Sequence, residues 1–262
     1  METISTCHCL ADRLRARDTT RLGTVKPRSW DLQPDGIEVV FLDAGGVLLE
    51  PDWERTSAIL VGHGIAISPR GLASAEAVAK RQMDDEEVLH GTGSLPNPNG
   101  YLGWVVEASG VPHEPQAVTA AAHDFEDEHQ RTNMWSVMRP EVPVALHRLR
   151  TRGYRLAVIS NAESNLRNRL AGHRIAGEFE ALVISAEVGA EKPDPAIFRA
   201  ALTQMDVAAE QTLHVGDIYE IDVRGARGVG IPAVLLDASG LSADRDCARV
   251  SSLTELADRL GA

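Results

Sequence analysis

The sequence predicts an α/β fold: a parallel sheet with helices on both faces and a helical segment inserted after the first strand. Three features predict it. Short apolar runs rich in β-branched residues recur along the chain, with helical patterning between them. Several of these runs stop at polar residues, among them Asp43, Ser160 and Asp217. The interval from Glu50 to Pro140 is several helices long, too much for a single crossover helix.

Residues 1–36 carry scattered Arg and Asp, Pro27 and Pro34, and little apolar periodicity, so they read as a flexible N-terminal extension. Val39 to Leu42 is the first strand, and Gly45-Gly46 lets the chain turn sharply behind Asp43. Residues 50–140 form the helical insertion, with no strand-like run. Trp53 to Leu60 begins one amphipathic segment, and Ala75 to Leu89 is a good helix former that carries Asp84, Asp85, Glu86 and Glu87. Gly91 to Gly100 is a loop, after which Tyr101 to Ser109 and Val118 to His129 resume helices.

Pro143 to Arg152 reads as a helix with arginines in its last turns, where the helix dipole favours them, and Gly153 stops it. Arg155 to Asn161 is the second strand, Glu163 to Leu170 a helix, and Ala181 to Ser185 the third strand. Asp194 as N-cap with Pro195 in the first turn starts the helix Ala196 to Met205. Thr212 to Asp217 is the fourth strand, Asp222 to Gly228 opens a helix, and Pro232 to Asp237 is the fifth strand. Ser252 and Glu255 have capping-box spacing and start the terminal helix. Residues 37–49 and 141–262 therefore read as one α/β core and 50–140 as a separate helical unit.

A net charge of -12 on 262 residues argues against nucleic acid or an anionic membrane as the main partner and favours metal and small phosphorylated ligands. No apolar run has the length of a membrane span, and the N-terminus lacks the apolar core of a secretory signal, so a cytoplasmic location is expected. Cys7, Cys9 and Cys247 have no framework spacing, which suits a reducing compartment. Cys7-His8-Cys9 lacks a second ligand pair for zinc. Lysine occurs only at Lys26, Lys80 and Lys192.

Parallel strands place their carboxyl ends on one side of a sheet, where ligands bind in such folds. Asp43, Ser160, Asn161, Lys192, Asp217 and Asp222 can therefore converge although they are far apart in sequence. Three carboxylates need a cation, and hard oxygen donors without grouped Cys or His favour Mg²⁺ over zinc. Lys192 and the Ser160 hydroxyl suit a phosphate whose remaining charge the metal offsets.

At this point the sequence resembles the haloacid dehalogenase superfamily of aspartate-nucleophile hydrolases, in the subfamily with an inserted helical (C1-type) cap. The motifs are Val40-Phe41-Leu42-Asp43 followed by Gly45-Gly46-Val47-Leu48, Val158-Ile159-Ser160-Asn161, Glu191-Lys192-Pro193-Asp194-Pro195, and Val215-Gly216-Asp217 with Asp222. Any one of them is weak; the four in order are specific. The resemblance implies a Rossmann-like core and a small phosphorylated substrate. It implies Asp43 as the nucleophile that forms an aspartyl phosphate, Ser160 and Asn161 as phosphate-binding residues, and Lys192 as the neutraliser of the transferring group. It implies Mg²⁺ held by Asp43, the Gly45 carbonyl, Asp217 and Asp222.

One departure stands out. Phosphatases of this superfamily usually carry a second aspartate two residues after the nucleophile as general acid and base, and here that position is Gly45. A general acid/base is worth about 10²–10⁴-fold in rate, so turnover of alkyl phosphates is expected to be slow unless another group supplies the proton. His90, His123, His129 and Glu126 of the insertion are candidates. Two other readings stay open: a weakly catalytic or regulatory protein that binds a phosphorylated ligand, and a 2-haloacid dehalogenase, since those relatives also lack the second aspartate. Phosphonate-cleaving relatives use a cap lysine, but Lys80 sits beside Arg81, Asp84 and Asp85 and reads as part of a solvated helix face. Trp53, Trp104 and Trp135 read as core of the insertion, His214 as a packed, hydrogen-bonded strand residue, and Arg131 as a surface ion-pair partner.

Overall fold

The structure, a computed structural model, describes residues 35–84 and 97–262. Its strands in chain order are β1 (Val39–Leu42), β2 (Leu49–Pro51), β3 (Trp135–Met138), β4 (Arg155–Ser160), β5 (Ala181–Ile184), β6 (Thr212–Gly216), β7 (Ala233–Leu236) and β8 (Ala248–Val250). The main helices are α1 (Trp53–Gly62), α2 (Pro69–Met83), α3 (Gly100–Ser109), α4 (Pro115–Thr132), α5 (Val142–Thr151), α6 (Leu166–Gly172), α7 (Pro195–Met205) and α8 (Leu253–Arg259).

Six strands pair in parallel in the order β5-β4-β1-β6-β7-β8. The central strand β1 is flanked by β4 and β6, with Leu42 opposite both Val158 and Val215. That register brings the residues following all three strands out at one edge. Alternation along the strands divides the core. Val40, Leu42, Val158 and Val215 face the side covered by α5 and α8, while Val39, Phe41, Ile159 and Leu235 face Ile197 and Phe198 of α7.

The segment between β2 and β3 has its own apolar cluster, with Leu60, Leu72, Ala79, Val105 and Phe125 at its centre. In α2, Ser68 caps the helix by accepting from Gly71 N at 3.1 Å, and Leu72, Ala75, Ala79 and Met83 form the buried stripe. Asp194 caps α7 by accepting from Ala196 N at 2.8 Å, with Pro195 next to it as expected.

Several expectations are corrected. Residues 50–140 are not strand-free: β2 and β3 pair antiparallel into a two-stranded ribbon that carries the chain into and out of the helical segment. A sixth core strand, β8, is three residues at the sheet edge, too short to leave a pattern. The helix expected to reach Leu89 ends at Met83, because Asp84 turns away to bond the core. The helix expected at Asp222 begins as a π turn over Tyr219–Arg224. Glu255 returns its carboxylate to Ser251 N at 2.9 Å instead of to the N-cap Ser252. Cys7, Cys9, Lys26, His90 and nearly all of the N-terminal extension lie outside the described residues. Among those described, no helix is long and apolar enough to cross a membrane.

Candidate active site

Asp43 leaves the end of β1 with its amide donating to Val215 O at 2.9 Å, which ties it to the neighbouring strand. Its Oδ1 accepts from Ala44 N at 2.7 Å and meets Lys192 Nζ at 2.9 Å. Lys192 is buried, and its Nζ also donates to Asp222 Oδ1 at 2.7 Å. The loop carrying Lys192 is held by Asn161: Lys192 N donates to Asn161 Oδ1 at 2.7 Å and Asn161 Nδ2 donates to Lys192 O at 2.9 Å. Asn161 is therefore a clamp on the lysine's backbone.

Asp222 accepts from Ile218 N at 3.1 Å and lies 3.0 Å from His214 Nε2. Burial pushes the His214 pKa down, so the ring is neutral and donates Nε2–H to the carboxylate. His214 is the packed strand residue expected, edge-on to Phe198 at 5.4 Å, and its Nδ1 has no partner among the described residues. Gly216 is required here: a Cβ would stand 2.0 Å from Asp222 Cγ.

One ligand oxygen from each of Asp43, Asp217 and Asp222 lies within 4.8 Å of the others. This hard, buried donor set fits Mg²⁺. Burial pushes Asp43 up to about 6, reinforced by Asp222 and Asp217 and opposed by Lys192. Burial also raises Asp217. For Asp222 burial acts in the same direction, but the Lys192 ammonium and His214 outweigh it and hold the carboxyl well below the usual range.

Ser160 and Asn161 line a cavity of about 810 Å³ together with Gly45, His129, Trp135 and Arg169. A side chain at Gly45 would start 3.5 Å from Trp135 Cδ1, so the indole stands over the position where the usual acid would begin. Trp135 packs on the insertion's core, as expected, and also forms cavity wall. Of the residues considered as substitutes for the acid, His129 reaches this cavity, whereas His123 is exposed beside Asp127 and Glu126 bonds Gln130 on the surface. His129 Nδ1 accepts from Met134 N at 3.1 Å, which leaves the proton on Nε2. Arg169 of α6 and His173, which follows that helix, tie the wall to β3 by donating to Trp135 O at 2.7 Å and Ser136 O at 2.9 Å.

The reading of Lys80 as a solvated residue is overturned. Its Nζ lies 2.6 Å from Asp217 Oδ2 and 2.8 Å from Glu76 Oε1, and Tyr101 OH donates to the same Glu76 oxygen at 2.5 Å. Asp84, also assigned to that solvated face, is buried, accepts from Glu220 N at 2.7 Å and pairs with Arg245 at 3.2 Å. Thus the end of α2 docks on the core. The sequence did carry one signal: Glu76 and Lys80 are four residues apart, flanking the apolar stripe of α2. Arg131 pairs with Glu128 at 2.7 Å on the surface, as expected.

The parallel α/β sheet thus carries a buried lysine and three carboxylates at its carboxyl edge, beside an inserted helical segment. The chain belongs to the haloacid dehalogenase-like hydrolases, whose family profile matches residues 37–230. It is 39% identical over 132 residues to phosphoserine phosphatase of Thermus thermophilus, a match covering 50% of each chain. It is 31% identical over 178 residues to human haloacid dehalogenase-like hydrolase domain-containing protein 3, covering 66% of this chain and 70% of that one. The chain thus spans about half the length of the first relative. A solved structure of a HAD phosphatase from Thermococcus onnurineus shares the fold with a TM-score of 0.56 at 21% identity, covering 86% of this chain and 98% of the other. A 2-haloacid dehalogenase from Pseudomonas syringae shares it with a TM-score of 0.53 at 23% identity, over the same 86% and 98%.

Proposed function

We propose that this protein is a Mg²⁺-dependent hydrolase of a small phosphorylated metabolite, acting through an aspartyl phosphate on Asp43. The observation that carries the reading is the buried Asp43–Lys192–Asp222 chain, at 2.9 and 2.7 Å, beside a cavity lined by Ser160. Neither strand packing nor simple metal binding requires that lysine between those carboxylates. The names of the relatives, phosphoserine phosphatase and glyceraldehyde 3-phosphate phosphatase, support the same class.

In this reading residues 37–49 and 141–262 are the core and 50–140 the C1-type cap. Asp43, the Gly45 carbonyl, Asp217 and Asp222 would hold Mg²⁺, which would offset the charge of the phosphoryl oxygens. An Asp43 carboxylate oxygen attacks phosphorus and the bond to the leaving oxygen breaks. Ser160 and Asn161 orient the phosphoryl group, and Lys192 neutralises charge on it and on Asp43. His129 Nε2–H, with Nδ1 occupied by Met134 N, donates a hydrogen bond to the leaving oxygen in place of a second aspartate, and that oxygen takes its proton from solvent. Water then attacks phosphorus, the bond from phosphorus to the Asp43 oxygen breaks, and the water proton leaves with the phosphate or to solvent, which restores the carboxylate. The cytoplasmic location expected from the sequence belongs to the same proposal.

The test is incubation with Mg²⁺ and an aryl phosphate, following free phosphate and intact protein mass, with Asp43→Asn as control. An aryl oxide leaves without protonation, so turnover lost in the control supports the reading. If phosphate and mass are both unchanged, the reading fails; halide release from a 2-haloacid would then favour a dehalogenase, and inertness there a binding role.

A further inference from the structure

Lys80 is the one cap residue whose charged atom touches a proposed metal ligand, among the described residues. Its ammonium and Asp217 Oδ2 meet at 2.6 Å over Gly46, where φ is +73° and a Cβ would lie 1.9 Å from that oxygen and 2.9 Å from Nζ. Only glycine permits the approach. A divalent ion using that oxygen and an ammonium bonded to it repel each other at contact distance, in a buried setting where screening is weak.

The cap is built so that the lysine can leave. Glu76 holds Nζ at 2.8 Å and is itself fixed by Tyr101 OH at 2.5 Å, so a lysine drawn off Asp217 keeps a carboxylate partner. Asp217 gains the metal at the same moment. Neither charge is left buried and alone, which is the arrangement that would cost most. Lys80 and Asp217 both line a cavity of about 330 Å³, separate in its lining from the one bordered by Trp135, which gives solvent and ions a path to the contact.

We propose that Lys80 is a cap-borne cation that competes with the divalent ion for Asp217, so that metal loading pulls the lysine off the core and sets the metal affinity through the cap. Lys80 is then a positioning residue, and the inference rests on the Mg²⁺-dependent reading above. The chain's three lysines make it directly measurable.

The full-length protein is titrated with Mg²⁺ by calorimetry while an amine-acylating reagent is read out at Lys80 and Lys192 by peptide mass spectrometry. Acylation of Lys80 is expected to rise at least tenfold with half-saturation at the calorimetric Kd, with Lys192 lagging behind. Lys80→Met leaves Glu76 unpaired, so the paired variant Lys80→Met/Glu76→Gln is used and is expected to bind Mg²⁺ at least tenfold tighter. Metal binding only in that variant also supports competition. Bound Mg²⁺ with unchanged Lys80 acylation, equal rises at both lysines, equal or weaker affinity in the variant, or no binding to either protein overturns the inference. Aryl phosphate turnover lost in Asp43→Asn reports separately on the hydrolase reading, so the two failures are distinguishable.

Discussion

Trp135 stands over Gly45 at the distance of ordinary contact, 3.5 Å from the point where a side chain would begin to its Cδ1. Gly45 has no positive φ that would demand glycine, and only the indole borders its missing side chain. An aspartate is therefore accommodated at its Cβ. Gly45→Asp is expected to raise kcat on an alkyl phosphate by about 10²-fold and to change aryl phosphate turnover by less than about threefold. Steady-state phosphate release on the two substrates checks it, and equal effects on both would contradict the assignment.

His129→Gln tests the leaving-group hydrogen-bond donor from the other side. The ring lines the cavity with its proton on Nε2. Loss of about 10²-fold on alkyl phosphates with aryl phosphates spared is expected. Parallel loss on both substrates would mean that the histidine merely holds Met134.

The Asp43 carboxyl predicts a pH-dependent stability. In the metal-free protein burial raises its pKa from 3.8 to about 6, so between these values the folded state binds a proton that the unfolded state has released. Stability contributed by this group is present below the unfolded value and lost as pH rises through about 6. Asp43→Asn is therefore expected to stabilise the metal-free protein above that pH, by on the order of 2 kcal/mol, with the gain vanishing near pH 4. Urea melts at several pH values check the sign; a gain that grows on acidification would refute it.

Lys192 is 1% exposed in its side chain and separates two buried carboxylates. Lys192→Met leaves Asp222 without its cation, which predicts a loss of roughly 3–5 kcal/mol by denaturant melts. Phosphoprotein formation should fall by more than about 10³-fold, since the removed charge offsets that of the transferring group. A folded variant with near-normal phosphorylation would remove the lysine from the mechanism.

The strands and their terminal residues were legible because each is a local pattern. An apolar run such as Val39 to Leu42 followed by Asp43 and two glycines needs no distant partner to be read. Parallel pairing then places Asp43, Ser160 and Asp217 on one edge by geometry alone. The ribbon of β2 and β3 was not legible: its strands are three and four residues long, and Pro51 argues against a strand locally. Here pairing across the insertion decided the structure.

Sequence alone therefore determined the five longer strands of the core sheet, the carboxylates and lysine that follow strands, and the glycine at position 45. Tertiary structure decided what the inserted helical segment brings to them. Arg81 and Asp84 make Lys80 look solvated along the helix, yet Asp84 docks on Glu220 N and Lys80 meets Asp217, partners supplied from the far end of the chain. His129 and Trp135 of the inserted segment likewise line one cavity with Gly45 and Ser160 of the sheet edge only through tertiary packing. Local patterning encodes which face of an element is apolar; which charge that face finally meets depends on long-range packing, and no periodicity records it.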